Sequence, residues 1–208
     1  MIDNSTDASS AGKVSVVAQD DSSIWSFAGA LGISLKESGL GAAFAWNEID
    51  NTVEAKIENS TLPASSVTVT AEMKDTEIWT LSIGAAGTKN TAIAGSFSVN
   101  FITSTVDAHI SNNANIDTTG NVEVKAIDKS NIFSLAGQVA ISISSSAIGA
   151  AVGVNRISNT IKAYIDNSNV DTTDNGNVIV SADEQAWIKS LSVGASMAGS
   201  SFALGGSV

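Results

Sequence analysis

The chain has 208 residues, with 21 Asp+Glu against 10 Lys+Arg and a formal net charge of −11. That balance disfavours nucleic acid or an anionic membrane surface as partner, since both attract basic patches. Cysteine is absent and His109 is the one histidine, which excludes disulfides, thiolate metal sites and His-cluster zinc and leaves little room for Ser–His catalysis. Only 15% of residues are charged and 43% are hydrophobic, too apolar a balance for a disordered chain. The opening Met1-Ile2-Asp3-Asn4-Ser5 has neither the basic nor the apolar region of a signal peptide. No apolar run reaches the ~18 residues of a membrane-spanning helix, so no membrane insertion is expected.

From the N-terminus onward the sequence repeats itself. A phrase Val-x-Val-x-Ala starts at residues 14, 67, 122 and 178, at intervals of 53, 55 and 56. About ten residues later comes Ile24-Trp25-Ser26-Phe27, then Ile78-Trp79-Thr80-Leu81 and Ile132-Phe133-Ser134-Leu135, with a copy near Trp187-Ile188 shifted by one residue. A third phrase, Asn-x-Ile-x-x-Thr-[Val/Ile]-x-Ala-x-Ile, begins at Asn47, Asn100 and Asn155, and Ile2-Asp3-Asn4-Ser5 matches its tail. The chain thus divides into repeats 14–66, 67–121 and 122–177 with partial repeats 1–13 and 178–208, and it reads as a segment of a longer array. Repetition at this period signals a solenoid, propeller or array.

Within a repeat the apolar pattern has period 2. Phe133, Leu135, Gly137, Val139, Ile141 and Ile143 share one face, and Ser134, Ala136, Gln138, Ala140, Ser142 and Ser144 the other. Alternation of this kind predicts strands. Gly41-Ala42-Ala43-Phe44-Ala45-Trp46 suits a helix in isolation, but its counterpart Gly149-Ala150-Ala151-Val152-Gly153-Val154 favours a strand. Turn chemistry separates the strands at Lys36–Gly39, Asp117–Asn121, Ser144–Ser146 and Asp171–Asn177.

Together these features predict an all-β fold, a parallel β-helix (β-solenoid) of ~55-residue repeats in which equivalent residues lie about 4.8 Å apart. Ile57, Ile110 and Ile165 are expected to form an aliphatic ladder in the core, as are Ile49, Ile102 and Ile157. Asn47, Asn100 and Asn155 form an amide ladder. Trp25, Trp79 and Phe133 form an aromatic ladder, also placed in the core, and Trp46 is expected to be buried. The Ala and Ser columns are then left outward, as a surface able to pack against another sheet. Whether one repeat is one wide coil or several narrow ones stays open. The partners implied are neighbouring repeats of the same chain.

The phrases Ile148–Ile157, Lys162–Ser168 and Gly176–Ala182 are similar to repeats of giant secreted bacterial surface proteins, the leukotoxin-like filamentous adhesins related to filamentous haemagglutinins. The resemblance runs over almost the whole chain. It implies a right-handed parallel β-helix, export to the cell surface, adhesion to host or bacterial surface glycans or proteins, and no catalytic residues.

Candidate chemistry is sparse. His109 aligns with Lys56 and Tyr164 on an outward strand position and reads as a surface side chain rather than a ligand. No cofactor is expected. Calcium is the one metal weighed, through turn carboxylates Asp3, Asp117, Asp171 and Asp174, but the calcium-binding nonapeptide is missing. Asp20-Asp21 is a carboxylate pair of the kind a polysaccharide lyase or epimerase uses, yet Arg156 is the sole arginine. The residues and the resemblance together point to a non-catalytic structural or adhesive stalk segment of a secreted or cell-surface bacterial adhesin. The alternatives are a carbohydrate-active β-helix and a self-associating matrix protein.

Overall fold

A computed structural model describes residues 1–6 and 11–208. The strand β1 (Ile2–Asp3) precedes a first coil of β2 (Ala11–Asp20), β3 (Ser23–Ser34), β4 (Gly39–Ile49) and β5 (Thr52–Glu58). The second coil is β6 (Thr61–Met73), β7 (Glu77–Thr88), β8 (Ala92–Ile102) and β9 (Thr105–Ser111). The third is β10 (Asn115–Thr118), β11 (Val122–Asp128), β12 (Asn131–Ser142), β13 (Ala147–Ile157) and β14 (Thr160–Ile165). A last, partial coil holds β15 (Asn169–Thr172), β16 (Val178–Glu184), β17 (Trp187–Ala198) and β18 (Ala203–Ser207).

Every pairing is parallel and joins one coil to the next. Four sheets result, each running up the stack. Sheet A is β1-β5-β9-β14. Sheet B holds β6, β10, β11, β15 and β16, with β2 against β6. Sheet C is β3-β7-β12-β17, and sheet D is β4-β8-β13-β18. The chain is therefore a parallel β-solenoid, and one repeat is one wide coil. Val67 pairs with Val14 below and Val122 above, and Val122 pairs with Val178, so the Val-x-Val-x-Ala phrases are stacked in register. The register at the top also accounts for the shifted fourth copy: Ile188 continues the Ile132 column and Lys189 takes the place of Phe133.

The corner from sheet A to sheet B is built by asparagine. Asn4, Asn59, Asn112 and Asn167 have φ of 52°, 48°, 56° and 43°. Asparagine tolerates this left-handed region better than other side-chain-bearing residues. Each of the four follows a pairing of the last residues of sheet A, so the same turn repeats coil after coil.

Two lobes make up each coil. In the first, sheets A and B enclose an aliphatic core that includes Val53, Ala55, Ile57, Val67, Val69, Val106, Ile110, Val122 and Val124. Ile57 and Ile110 are fully buried and Ile165, nearer the top of the stack, is half-buried. Full burial of such a side chain contributes about 1.5–3 kcal/mol relative to exposure. We call this lobe the root.

The second lobe, the blade, is sheets C and D laid against each other. Its interior is small and hydroxyl-rich: Ala86, Ala92, Ala94, Ala140 and Ala147, with Ser82, Ser96, Ser98, Thr80 and Ser134. The expected facing of these strands is therefore reversed. Trp25 is 61% exposed, Phe27 72% and Leu31 70%, and Trp46 is also on the outside. The physical reason is the closeness of the two sheets. A Cβ on Gly84 would lie 1.9 Å from the Gly95 carbonyl oxygen, and one on Gly41 1.9 Å from that of Ala85. Backbone meets backbone there, so large side chains are forced to the outer face.

Between root and blade lies a waist. Ile49, Ile78, Ile102 and Ile132 cluster there, with Ile24 and Ile157 against them. Beside them is a polar clasp. The Asn51 side-chain amide donates to Asp20 Oδ2 and to Ser22 Oγ, both at 3.0 Å, and Thr76 Oγ1 donates to the same carboxylate at 3.2 Å. Two coils up, Asn159 Nδ2 donates to Asp128 Oδ2 at 2.8 Å and to Ser130 Oγ at 3.1 Å, with Met73 in the Asp column between. Burial alone would raise the Asp20 carboxyl, but the hydrogen bonds from Ser22, Asn51 and Thr76 outweigh it and hold it below its ordinary value. Asp20 is thus a structural acceptor, separate from the exposed Asp21.

Candidate interaction surfaces

Three ladders single themselves out. The first is internal. Asn47 Nδ2 donates to Asn100 Oδ1 at 2.8 Å, and Asn100 Nδ2 donates to Asn155 Oδ1 at 2.7 Å. Thr80 Oγ1 also donates to Asn100 Oδ1 at 2.6 Å, and Asn155 passes its amide on to Ser190 Oγ. This run ties β4, β8 and β13 of sheet D to the facing strands of sheet C. Each bond contributes about 1 kcal/mol net, and more is lost if one partner is stranded in the interior.

The second ladder is a stripe on the outer face of sheet A. Lys56, His109 and Tyr164 are stacked in register. The His109 and Tyr164 rings lie 4.8 Å apart and nearly parallel. Lys56 Nζ lies 3.3 Å from both Glu54 and Glu58. His109 Nδ1 is 2.7 Å from Asp107 Oδ1. The stripe points outward as expected, but His109 is not a free surface side chain. It is only 4% exposed, because the tyrosine ring and the lysine chain cover its two faces. Burial, then the nearby Asp107, Glu54, Glu58 and Asp166 carboxylates, push the Tyr164 hydroxyl above its ordinary value. Glu58 titrates low: burial would raise it, but hydrogen bonds from Ser111 and Lys56 more than offset that.

The third feature is the pair of blade faces. On sheet C, Trp25 stacks on Trp79 at 5.3 Å between ring centroids, and Trp79 on Phe133 at 4.4 Å. This is the expected aromatic ladder, relocated from the core to the surface, where neighbours above and below leave Trp79 and Phe133 half-buried. A groove of about 290 Å³ runs between it and the Phe27/Leu81/Leu135 column. Farther out, Ile33, Leu35, Ile141 and Ile143 surround a hollow of about 410 Å³ above Gly87. On sheet D, Phe44 stacks on Phe97 at 5.5 Å, and Trp46 meets Phe101 edge-on. The outward side chains of the sheet C strands include only two charges, Glu77 and Lys189, both beside the waist; the only two on sheet D, Glu48 and Arg156, sit in the same place. Continuous apolar surface on this scale marks a contact site. Sequence reasoning missed it by turning these columns inward.

The turn carboxylates do not converge. Asp117 and Asp171 stand in register in β10 and β15 rather than in turns, Asp174 lies in the following turn, and Asp3 belongs to sheet A, where it accepts from Asn59. Among the described residues, no three His, Cys, Asp or Glu side chains gather as metal ligands would. Compared with protein-family models, curated proteins and solved structures, the chain matches none.

Proposed function

We propose that this chain is a non-catalytic structural and adhesive segment of a secreted or cell-surface bacterial adhesin. It would extend a rod and make contacts through its flat sides. The observation that carries this reading is the in-register stack, in which each coil repeats the one below and presents ladders of like side chains on long faces. A surface of that form suits an extended partner contacted at many equivalent points. The likeness of Lys162–Ser168 and Gly176–Ala182 to filamentous adhesin repeats supports the same reading.

The test is binding of the purified chain to a panel of glycans, matrix proteins and whole cells, with and without calcium. Saturable binding that falls when Tyr164 and Lys56 are replaced by alanine supports an adhesive role for the sheet A stripe. Failure of a folded sample to bind any member of the panel overturns the adhesive part and leaves a spacer.

A further inference from the structure

The outer face of sheet C is unpartnered and apolar, and its side chains have a size pattern that sheet D lacks. We propose that sheet C is a self-association surface, pairing face to face with sheet C of a second copy of this chain. This deepens the structural reading above and rests on it.

The area is adequate. Strands of 12 residues, about 40 Å long and stacked four deep at about 4.8 Å, make a face of roughly 750 Å². Stable interfaces bury about 800 Å² on each partner.

Size complementarity selects the arrangement. Consider a two-fold axis in the plane of the interface, parallel to the strands and passing between β7 and β12. It sets β3 of one copy opposite β17 of the other, and β7 opposite β12, with the two stacks antiparallel. The register within sheet C then fixes which residues face each other. Gly29 faces Val193, and Ile83 faces Gly137. Leu31 faces Ala195, and Ala85 faces Val139. Gly87, at the floor of the 410 Å³ hollow, faces Ile141. In each of these pairs a large side chain meets a small one. At the tip Ile33 faces Met197, and nearer the waist the Phe27/Leu81/Leu135/Leu191 and Trp79/Phe133 columns meet, large on large in both places. Lys189, which lies 4.4 Å over its own Trp187 ring, faces Trp25, while Glu77 faces Asn131, so no like charges are opposed.

Sheet D fails the same comparison. Its outer columns are uniformly large, as in Leu40, Ile93, Ile148 and Leu204, or uniformly small, as in Ala42, Gly95, Ala150 and Gly206. The same operation sets bulk on bulk and gap on gap. The self-pairing face is therefore sheet C.

The experiment is sedimentation equilibrium of the whole chain and two variants, Ile83→Asp and Gly137→Lys. Both positions face outward. A Cβ at Gly137 meets only Ile83 Cγ1, at 3.8 Å, so the lysine is accommodated in the monomer. Circular dichroism melts confirm folding, and Phe97→Asp on sheet D is the control. The parent and the control are expected to dimerise at micromolar concentration. Each sheet C variant should weaken the dimer by about 30-fold or more, the scale of a central interface residue. An equimolar mixture of Ile83→Asp and Gly137→Lys should dimerise again, because the two-fold brings the new carboxylate against the new ammonium. A parent that stays monomeric, single variants as dimeric as the parent, or a mixture that stays monomeric would each overturn the proposal. So would a monomeric parent that floats with phosphatidylcholine vesicles and ceases to on Ile83→Asp, which assigns the face to lipid. Panel binding by the Ile83→Asp monomer tests the adhesive reading separately, so either can fail alone.

Discussion

The root and the blade of each coil use one strand alternation in opposite senses. In the root, Val69, Val124, Ile57 and Ile110 point inward and charged residues point out. In the blade, Ser82, Ala86 and Ser134 point inward, while Trp79, Leu81 and Ile83 point out. The difference follows from the distance between facing sheets. The root sheets stand far enough apart to need filling by branched side chains. The blade sheets are joined at the tip by short turns such as Leu35–Ser38, and they close until Gly41 and Gly84 touch the opposite backbone. Hydrophobic burial stabilises the root. Close packing and hydrogen bonds such as Ser98–Ser134, at 3.1 Å, hold the blade, whose apolar area is left for contact.

The largest expected effect breaks the root. Ile110→Asp puts a charge into a fully buried aliphatic ladder and should cost about 4 kcal/mol or more, read as a lowered urea midpoint. The same chemical change at Leu31 in the blade should leave stability within about 0.5 kcal/mol, when measured dilute enough to exclude association. Equal losses at the two sites would refute the opposite facing of the lobes. The converse change attacks the blade interior. Gly84→Val drives a side chain into the Gly95 carbonyl and should cost about 3 kcal/mol, whereas Gly137→Val on the outer face should be nearly neutral.

At the join between sheets C and D, Asn100→Ala removes the centre of the amide ladder. It removes the acceptor of Asn47 and Thr80 and the donor to Asn155, leaving Asn47 on Thr80 and Asn155 on Ser190, and the expected loss is about 2 kcal/mol. A smaller gain is expected at Gln138. This side chain is 2% exposed, and among the described residues neither of its amide atoms has a partner. Gln138→Met keeps the volume and removes the unpaired amide, so the urea midpoint should rise by the equivalent of about 1 kcal/mol. A fall instead would mean that the amide is bonded within the blade.

Much of this was legible in the residues. The Val-x-Val-x-Ala phrases fixed the register from Val14 through Val178, and the common frame at Asn47, Asn100 and Asn155 exposed the amide ladder. The facing of the blade was hidden for a definite reason. Alternation says which residues share a face, but period 2 is symmetric between inside and outside. The missing cue was pairwise: β7 and β8 each carry a small column, in Ser82/Gly84/Ala86 and Ala94/Ser96/Ser98, and two such columns close on each other. The corner asparagines left a plainer trace, since Asn4, Asn59 and Asn167 each precede a serine at the end of the same phrase. The polar clasp could not be read locally, because Asn51 and Asp20 are 31 residues apart and meet only once the coil closes.

Titration offers the finest separation of the two lobes, because among the described residues the carboxylates held low lie in the root or at the waist. Lys129, whose Nζ is 2.7 Å from Glu72 Oε1, is the main cause at Glu72, assisted by Gln19. Asp20 and Glu58 are held low by hydrogen bonds that outweigh their burial. A carboxylate depressed in the folded state adds stability above its unfolded pKa, about 4, and that stability is lost as pH falls through the folded value. Tyr164 is shifted the other way. Its raised folded pKa adds stability that is present below about pH 10 and lost as pH rises above it. Urea midpoints should therefore be flat near neutrality and decline at both extremes. Glu72→Gln should lower the midpoint at pH 7 and flatten the acid limb, and Tyr164→Phe should flatten the alkaline limb. Hydrogen exchange pulse-labelled at one fixed pH after acid incubation should show β5, β6 and β9 opening before β7 and β8. If β7 and β8 open first, the root does not owe its acid sensitivity to these three groups.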